Sequence, residues 1–198
     1  MLPHRYLTWR SPWDHSLQMN PPLPDRLETS RLVLREPCAA DATGMFDAYT
    51  QDMDVARFMV WRPHGELSQT QAFVAGCIQG WASGLRRPYV IAFRGDESQP
   101  IGMIEARILG HTIDIGYVLA RRHWGNRLMP EAVTSLAEAC LVDPRVFRVQ
   151  ATCDIDNIGS ARTLERAGFL REGRLDRFTS HPNVSAEPRP CYMYARCR

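Results

Sequence analysis

One segment of the sequence combines residue types that bind phosphate groups. It covers residues 121–132 and reads Arg-Arg-His-Trp-Gly-Asn-Arg-Leu-Met-Pro-Glu-Ala. Pro130 has no backbone N–H, so it fits only the first turn of a helix, which places the helix start near Arg127. The amides of residues 125–129 then point off the helix end, where the dipole favours an anion, and Gly125 lets the backbone approach a ligand closely. The pattern predicts a pyrophosphate cradle, but a plain turn before a capped helix explains it equally well.

A second segment with candidate chemistry begins at residue 156 and reads Asp-Asn-Ile-Gly-Ser-Ala, then Arg-Thr-Leu-Glu-Arg-Ala-Gly-Phe up to residue 169. Asn157 or Asp156 is a suitable N-cap for a helix that starts at Ile158. Gly168 can supply the left-handed residue that ends this helix. Taken alone, the segment favours this capping role over a functional one.

The hydrophobic pattern predicts the elements that position both segments. Alternation over 32–35 indicates an edge strand, and helices are expected over 41–51, 68–81 with Ser68 as N-cap, 127–141 and 158–167. Six further strands are expected over 89–94, 101–108, 113–119, 147–153, 169–178 and 191–196. Short turns between the first three of these predict an antiparallel meander. The strand–helix–strand step over 113–153 predicts a parallel pair, so the sheet should be mixed.

Composition narrows the class of protein. The chain has 198 residues, of which 44% are apolar and 23% charged, which suits one folded domain and argues against disorder. The first 26 residues, rich in Pro and aromatic residues, are expected to form an irregular arm before a domain over 27–198. The absence of a long apolar run and of a secretory signal core leads us to expect a cytoplasmic protein without membrane contact.

Charge and cysteine content exclude other classes. A net charge of +2 is too small to indicate nucleic-acid binding. The six cysteines form no Cys-x-x-Cys pair and have no His at zinc-finger spacing, so we expect no metal site and structural cysteines. All 24 basic residues are Arg, and the chain therefore has no side-chain amine of its own to acylate.

Five pieces in this order resemble the GNAT superfamily of N-acetyltransferases, and within it the RimJ/RimL-like ribosomal-protein N-acetyltransferase branch. The resemblance spans about residues 27–196. It is carried by Leu-Glu-Thr-Ser-Arg-Leu-Val-Leu-Arg at 27–35, Ile-Gly-Tyr-Val-Leu at 115–119, Trp124-Gly125, Glu131-Ala132, and Asn157-x-x-Ser160 with Gly168-Phe169. One departure concerns the phosphate loop, where the family usually has Gly or Ala and this chain has Arg127. An Arg there either pairs with a phosphate or weakens binding.

The resemblance implies an α/β (α+β) domain of GNAT type, with a mixed, mostly antiparallel twisted sheet of about seven strands, about four helices and a splayed parallel strand pair at the centre. It implies acetyl transfer from acetyl-CoA to an amine by direct attack, without a covalent enzyme intermediate. Pantetheine would lie between the splayed strands, and the amide near Val118 or Leu119 would polarise the thioester carbonyl. The residues expected to bind the cosubstrate are Tyr117, Val118, Leu119, Arg122, Trp124, Gly125, Asn126, Arg127, Leu128, Met129, Asn157 and Ser160.

Catalytic and acceptor residues are also expected. Many members of the family place a Tyr seven residues after the Asn, but that position is Leu164 here. The resembled branch often has a Ser three residues after the Asn, so Ser160 is the expected proton donor. The alternative is that Ser160 only caps the helix or bonds the cosubstrate. Glu105 and Asp114, on adjacent strands, are the candidate bases. Glu131 is expected to be structural. Side chains expected to line the acceptor side are Trp61, Arg62 and His64.

The expected function is therefore an acyltransferase that acetylates a primary amine. The first choice of acceptor is the α-amine of a protein N-terminus, and the second is a small-molecule amine such as an amino acid, polyamine or aminoglycoside. An acidic acceptor cleft would favour a polycationic small molecule, whereas an open groove would favour a peptide. A non-catalytic CoA-binding protein and an interaction module built on the arm are the rival classes. Dimerisation is an expectation from the family.

Overall fold

Eight strands form one mixed sheet in the computed structural model, which describes residues 23–198. Along the chain the strands are β1 Arg26–Glu28, β2 Leu32–Arg35, β3 Arg86–Phe93, β4 Gly102–Leu109, β5 Thr112–Leu119, β6 Arg148–Asp154, β7 Leu170–Thr179 and β8 Arg189–Cys197. Their spatial order is β1-β2-β3-β4-β5-β6-β8-β7. Every neighbouring pair is antiparallel except β5 and β6, so the predicted mixed, mostly antiparallel sheet is confirmed.

Five α-helices accompany the sheet in the described residues. They are α1 Asp41–Met45, which continues as a π-helical turn over Phe46–Thr50, then α2 Met53–Ala56, α3 Leu67–Ser83, α4 Leu128–Val142 and α5 Ile158–Arg166. The expectation that Ser68 caps α3 is wrong. Glu66 is the N-cap, and Gln69 Oε1 accepts a 3.2 Å hydrogen bond from the Glu66 amide in a capping box. Among the described residues, no helix is long and apolar enough to cross a membrane.

Helices cover both faces of the sheet. Alternate residues of β5 and β6, such as Ile113 and Val149, pack with the buried side of α4 and with α5 in the larger core cluster. The opposite face carries a smaller cluster, in which Met103 and Val90 pack against α1 and α3. The ends of the central strands therefore lie between the two layers of helices.

The central parallel pair separates along its length, as the resemblance implied. β5 and β6 are paired only over Thr112–Asp114 and Arg148–Gln150. Beyond these residues β5 runs on to Leu119 and β6 runs on to Asp154. The strands therefore diverge, and the gap between them exposes backbone groups that have no neighbouring strand.

The N-terminal side differs from the expectation. β2 was expected to be the edge strand, but β1 pairs outside it in antiparallel register. Arg26, the last residue of the expected arm, already belongs to β1, and Pro24 O accepts a 2.7 Å hydrogen bond from the Tyr89 hydroxyl. Residues 1–22 of the arm lie outside the described residues, so the division into arm and domain stays a prediction.

Candidate active site

A cleft of roughly 960 Å³ opens where β5 and β6 diverge. Its walls come from β4, β5 and β6, the segment before α4, the start of α5, the segment around α2 and the end of β7. The register gives the cleft two sides. Tyr117 and Cys153 lie on the sheet face that carries α4 and α5, while Glu105 and Asp154 lie on the other face.

The segment before α4 is built as a turn with its amides at the helix start. Gly125 has φ 79° and Arg127, the N-cap, has φ 58°, so both occupy the left-handed region. This explains why a small residue suits position 127, since an L side chain there is strained. The Trp124 indole N–H donates to Leu119 O at 2.8 Å and ties the turn to the end of β5. The predicted helix start near Arg127 is confirmed.

Glu131 holds this turn against the start of the sheet. Its carboxylate accepts hydrogen bonds from Thr29 Oγ1 at 2.5 Å, the Arg31 amide at 3.0 Å and Arg31 Nε at 2.7 Å. Arg31 in turn donates to the carbonyls of Asn126 at 3.0 Å and Arg127 at 3.2 Å. Burial raises the pKa of Glu131, but these donors outweigh it and keep the pKa below its ordinary value. Glu131 is thus a structural residue, as expected.

Positive charge collects where α4 and α5 approach the cleft. The expected residue Arg127 lines it, and so do Arg162 and Arg166 of α5, which the sequence analysis did not identify. The structure places Arg122 and Asn126 outside the cleft wall; Arg122 Nε donates to His123 Nε2 at 3.0 Å. The other residues expected to bind the cosubstrate line the cleft: Tyr117, Val118, Leu119, Trp124, Gly125, Leu128, Met129, Asn157 and Ser160.

Two hydroxyl groups meet at the start of α5. Tyr117 Oη lies 2.8 Å from Ser160 Oγ and 3.2 Å from the Ser160 carbonyl. Burial raises the pKa of Tyr117 far above its ordinary value, so the phenol stays protonated. When Tyr117 donates to Ser160, the Ser160 hydrogen is left for a group in the cleft.

Asn157 is the N-cap of α5. Its Oδ1 accepts the Ser160 amide at 3.1 Å, which is the capping role favoured by the sequence alone. Asn157 also lines the cleft, so its amide group can reach a ligand there. Cys153 lies nearby, and burial raises the pKa of its thiol to about 11. The thiol is therefore protonated at neutral pH and is a poor nucleophile.

The two candidate bases share one guanidinium. Arg107 donates to Glu105 Oε2 at 2.8 Å and to Asp114 Oδ2 at 3.0 Å through Nε. Arg86 Nη1 lies 3.3 Å from the other Glu105 oxygen. Glu105 lines the cleft, whereas Asp114 does not. Both carboxylates are therefore engaged in ion pairs with arginine.

The acceptor side contains only part of the expected set. Trp61 lines the cleft, but Arg62 is exposed outside it. His64 also lies outside, with Nδ1 2.7 Å from Thr70 Oγ1 and its pKa lowered by burial. Side chains that line this side and were missed from the sequence are Arg57, Phe58, Phe73, Arg86, Arg107 and His181.

Comparison with known proteins identifies the family. The model of the acetyltransferase (GNAT) domain matches residues 31–170, and the chain belongs to this family. The uncharacterized N-acetyltransferase p20 of Bacillus licheniformis is 26% identical over 154 residues, which cover 76% of this chain and 85% of that protein. The uncharacterized N-acetyltransferase YoaA of Bacillus subtilis is 27% identical over 158 residues, 77% of this chain and 86% of that protein. The protein is therefore an acyltransferase of the N-acetyltransferase class.

Solved structures share the fold. The microcin C7 self-immunity acetyltransferase MccE, in complex with acetyl-CoA and AMP, superposes with a TM-score of 0.77 at 19% identity, covering 86% of this chain and 94% of that chain. RimL, the ribosomal L7/L12 α-N-protein acetyltransferase in complex with coenzyme A, gives 0.75 at 19% identity, covering 88% and 97%. Mycobacterium smegmatis RimJ gives 0.73 at 19%, covering 84% and 81%.

Proposed function

We propose that the protein transfers the acetyl group of acetyl-CoA to the α-amine of a protein N-terminus, with residues 27–198 as the catalytic domain. The observation that carries the proposal is the open cleft between β5 and β6, which connects the two faces of the sheet. The cosubstrate enters from the side of α4 and α5, and the amine enters from the opposite side. The reacting atoms meet at the gap.

The backbone of β5 supplies the donor for the thioester carbonyl. The Ala120 amide donates to Ile101 O of the segment leading into β4, at 2.8 Å. Since N–H groups alternate along a strand, the amide of Val118 also points towards β4, whereas those of Tyr117 and Leu119 point towards the gap. Of the two expected donors, this alternation favours Leu119. The Trp124 indole donates to Leu119 O and so fixes the next peptide unit, between Leu119 and Ala120.

The phosphates of acetyl-CoA bind at the start of α4. Gly125, Leu128 and Met129 present backbone amides there, and those of Leu128 and Met129 have no partner inside the helix. Arg127 and Arg166 line the same end of the cleft and add positive charge. In this proposal Arg127 extends towards a phosphate instead of closing the turn.

Transfer proceeds by direct attack. The neutral amine forms the C–N bond, the carbonyl oxygen gains charge opposite the Leu119 amide, and the C–S bond then breaks. Ser160 gives its hydroxyl proton to the leaving thiolate and is reprotonated with the proton that the attacking nitrogen loses. Tyr117 keeps Ser160 Oγ oriented through the 2.8 Å hydrogen bond. No step needs Cys153.

The charge of the cleft supports an N-terminal α-amine over a polycation. Each carboxylate in the cleft wall is paired with an arginine: Asp54 with Arg121 at 2.7 Å, Glu105 with Arg107 at 2.8 Å, and Asp154 and Asp156 with Arg189 at 2.6 Å. A polyamine or aminoglycoside needs unpaired carboxylates. The described part of the cleft wall offers none, and its open form suits the first residues of a peptide.

A small-molecule amine is the second candidate. Phe58, Trp61 and Phe73 form an aromatic rim on the acceptor side, which suits a flat organic group. MccE, whose structure contains AMP beside acetyl-CoA, has the same fold. An acceptor of this kind would carry a primary amine next to a planar ring.

A peptide panel tests the proposal. Peptides with each of the common N-terminal residues are incubated with enzyme and acetyl-CoA, and mass spectrometry locates the acetyl group. Matched peptides with a blocked α-amine and an internal lysine serve as controls. Acetylation of free α-amines only is the expected result. Modification of lysine alone, or of small aromatic amines but no peptide, contradicts it. Because the chain has no Lys, self-acetylation is confined to its own N-terminus.

A further inference from the structure

One titratable side chain of the acceptor side has no role in the steps above. His181 lines the cleft just after β7 and is 5% exposed. Its Nδ1 is buried and has no hydrogen-bond partner among residues 23–198. Its Nε2 lies 3.8 Å from Asp154 Oδ2 and 4.0 Å from Cys191 Sγ. A buried polar atom without a partner is costly and rare, so this nitrogen calls for a functional explanation.

The segment that carries His181 is fixed against the acceptor side. Asn183 Nδ2 donates to the carbonyls of Ala56 and Trp61, both at 2.7 Å. The Val184 amide donates to His181 O at 2.9 Å. The Phe58 ring meets the imidazole edge to face at 6.4 Å between centroids. These contacts hold the imidazole next to the rim through which the amine enters.

The groups around the ring favour one tautomer. Burial raises the pKa of Asp154, but hydrogen bonds from Arg189 and the Asp156 amide outweigh it, so the carboxylate is ionised. Burial also raises the pKa of the Cys191 thiol, which stays protonated and uncharged. A carboxylate beside Nε2 stabilises a proton on that nitrogen, which leaves a lone pair on Nδ1.

We propose that His181 accepts the proton that the acceptor amine loses before it attacks acetyl-CoA, an inference that rests on the proposed function. The ammonium group gives one proton to Nδ1 after a rotation of the imidazole brings this nitrogen to the surface of the cleft, and the imidazolium then passes the proton to solvent. The second proton leaves the nitrogen as the amide forms and ends on the sulfur of CoA through Ser160. One amide, one thiol and one released proton result, so the step balances.

The need for such a group follows from the acceptor. A peptide α-amine has an ordinary pKa of about 7.7–8.0, so only roughly a tenth of it is neutral at pH 7. Glu105 and Asp114 are held by Arg107, and a guanidinium beside the carboxylate also repels an incoming ammonium group. Within residues 23–198 no arginine is bound to His181 Nδ1, and the residue lines the same cleft.

His181→Gln, assayed with an acetylated peptide across about pH 6.5–9.5, tests the proposal. We expect kcat at pH 7 to fall at least roughly tenfold, with the KM for acetyl-CoA unchanged. The difference in kcat between the variant and the wild type should shrink several-fold towards pH 9.5, because the amine is then neutral in solution. The control is His111→Gln, an exposed imidazole in the β4–β5 turn, which should keep the parental pH profile. A deficit that is equal at every pH, or confined to the KM for acetyl-CoA, overturns the proposal.

A second measurement needs neither the variant nor an acceptor. Long-range ¹⁵N NMR of the imidazoles in the acetyl-CoA-bound protein reports which nitrogen carries the proton. A proton on Nε2 of His181 with a bare Nδ1 supports the proposal, and a proton on Nδ1 overturns it even if His181→Gln fails to fold. If the wild type acetylates no peptide, the proposed function fails, while the tautomer still decides whether His181 can accept a proton.

Discussion

The pairing of Tyr117 with Ser160 leads to the sharpest quantitative prediction. Tyr117→Phe removes a hydroxyl group that lies 2.8 Å from Ser160 Oγ and keeps the ring in place. A neutral hydrogen bond of this kind contributes about 1 kcal/mol, up to about 1.5, and about 1.4 kcal/mol corresponds to tenfold in rate. We therefore expect Tyr117→Phe to lower kcat about five- to tenfold. Ser160→Ala, which removes the proton donor itself, should lower it by roughly 10²-fold or more.

A double-mutant cycle measured by kcat tests whether the two residues act together. Since Tyr117 acts through Ser160, the double variant should be no slower than Ser160→Ala, which gives a coupling free energy of about 1–1.4 kcal/mol. Tyr194→Phe is the matched control, because Tyr194 is also a buried tyrosine that reaches α5, with its hydroxyl 3.2 Å from Glu165 Oε1. It lies outside the cleft wall and should leave kcat unchanged. Single effects that multiply in the double variant, or losses confined to KM, would show that Tyr117 does not act through Ser160.

Three further predictions concern the turn, the cap and the ion pair. Arg127→Gly and Arg177→Gly should each raise stability by up to about 1 kcal/mol, because both arginines have positive φ, but only Arg127→Gly should weaken acetyl-CoA binding in calorimetry. Asn157→Ala should cost about 1 kcal/mol of stability and raise the KM for acetyl-CoA. Asn157→Ser keeps the helix cap and therefore isolates the effect on KM. An unchanged KM in both variants would show that Asn157 does not bind the cosubstrate. At pH values above 4.5, the ordinary pKa of Glu, Glu131→Gln should lower the free energy of unfolding by about 1–3 kcal/mol. Because the folded-state pKa is lowered, this difference should vanish as the pH falls through and below that value, and a constant difference in urea unfolding across pH would contradict it.

The positions of several helices and strands could be predicted from local sequence patterns. Pro130 defined the start of α4, and alternation defined β5 and β6, since both signals act within one element. The short β1 was missed because three residues carry almost no periodic signal. The Arg107–Asp114 pairing was missed although the Gly110-His111 turn defines its register: in a hairpin with this two-residue turn, residue 109 faces 112 and residue 107 faces 114.

Contacts between distant elements were beyond sequence reasoning. His181 lies at the cleft, and its neighbour Asn183 bonds Trp61, more than one hundred residues away in the chain. The positions of Arg162 and Arg166 at the cleft depend on the packing of α5 near α4. The residues that decide proton transfer thus depend on packing across the sheet, whereas the residues at the phosphate turn follow from the sequence of one segment. The homodimer, the cytoplasmic location and the role of residues 1–22 stay predictions.

Every step proposed for this protein depends on binding of acetyl-CoA in the cleft, which a thermal-shift titration measures. Acetyl-CoA and CoA are compared, with ATP as a polyphosphate control. At about 100 times Kd, binding adds about 2.7 kcal/mol, which raises Tm by roughly 5–10 °C for a domain of this size. We expect this shift with both CoA species and none with ATP. No shift at millimolar acetyl-CoA, or an equal shift with ATP, would contradict it.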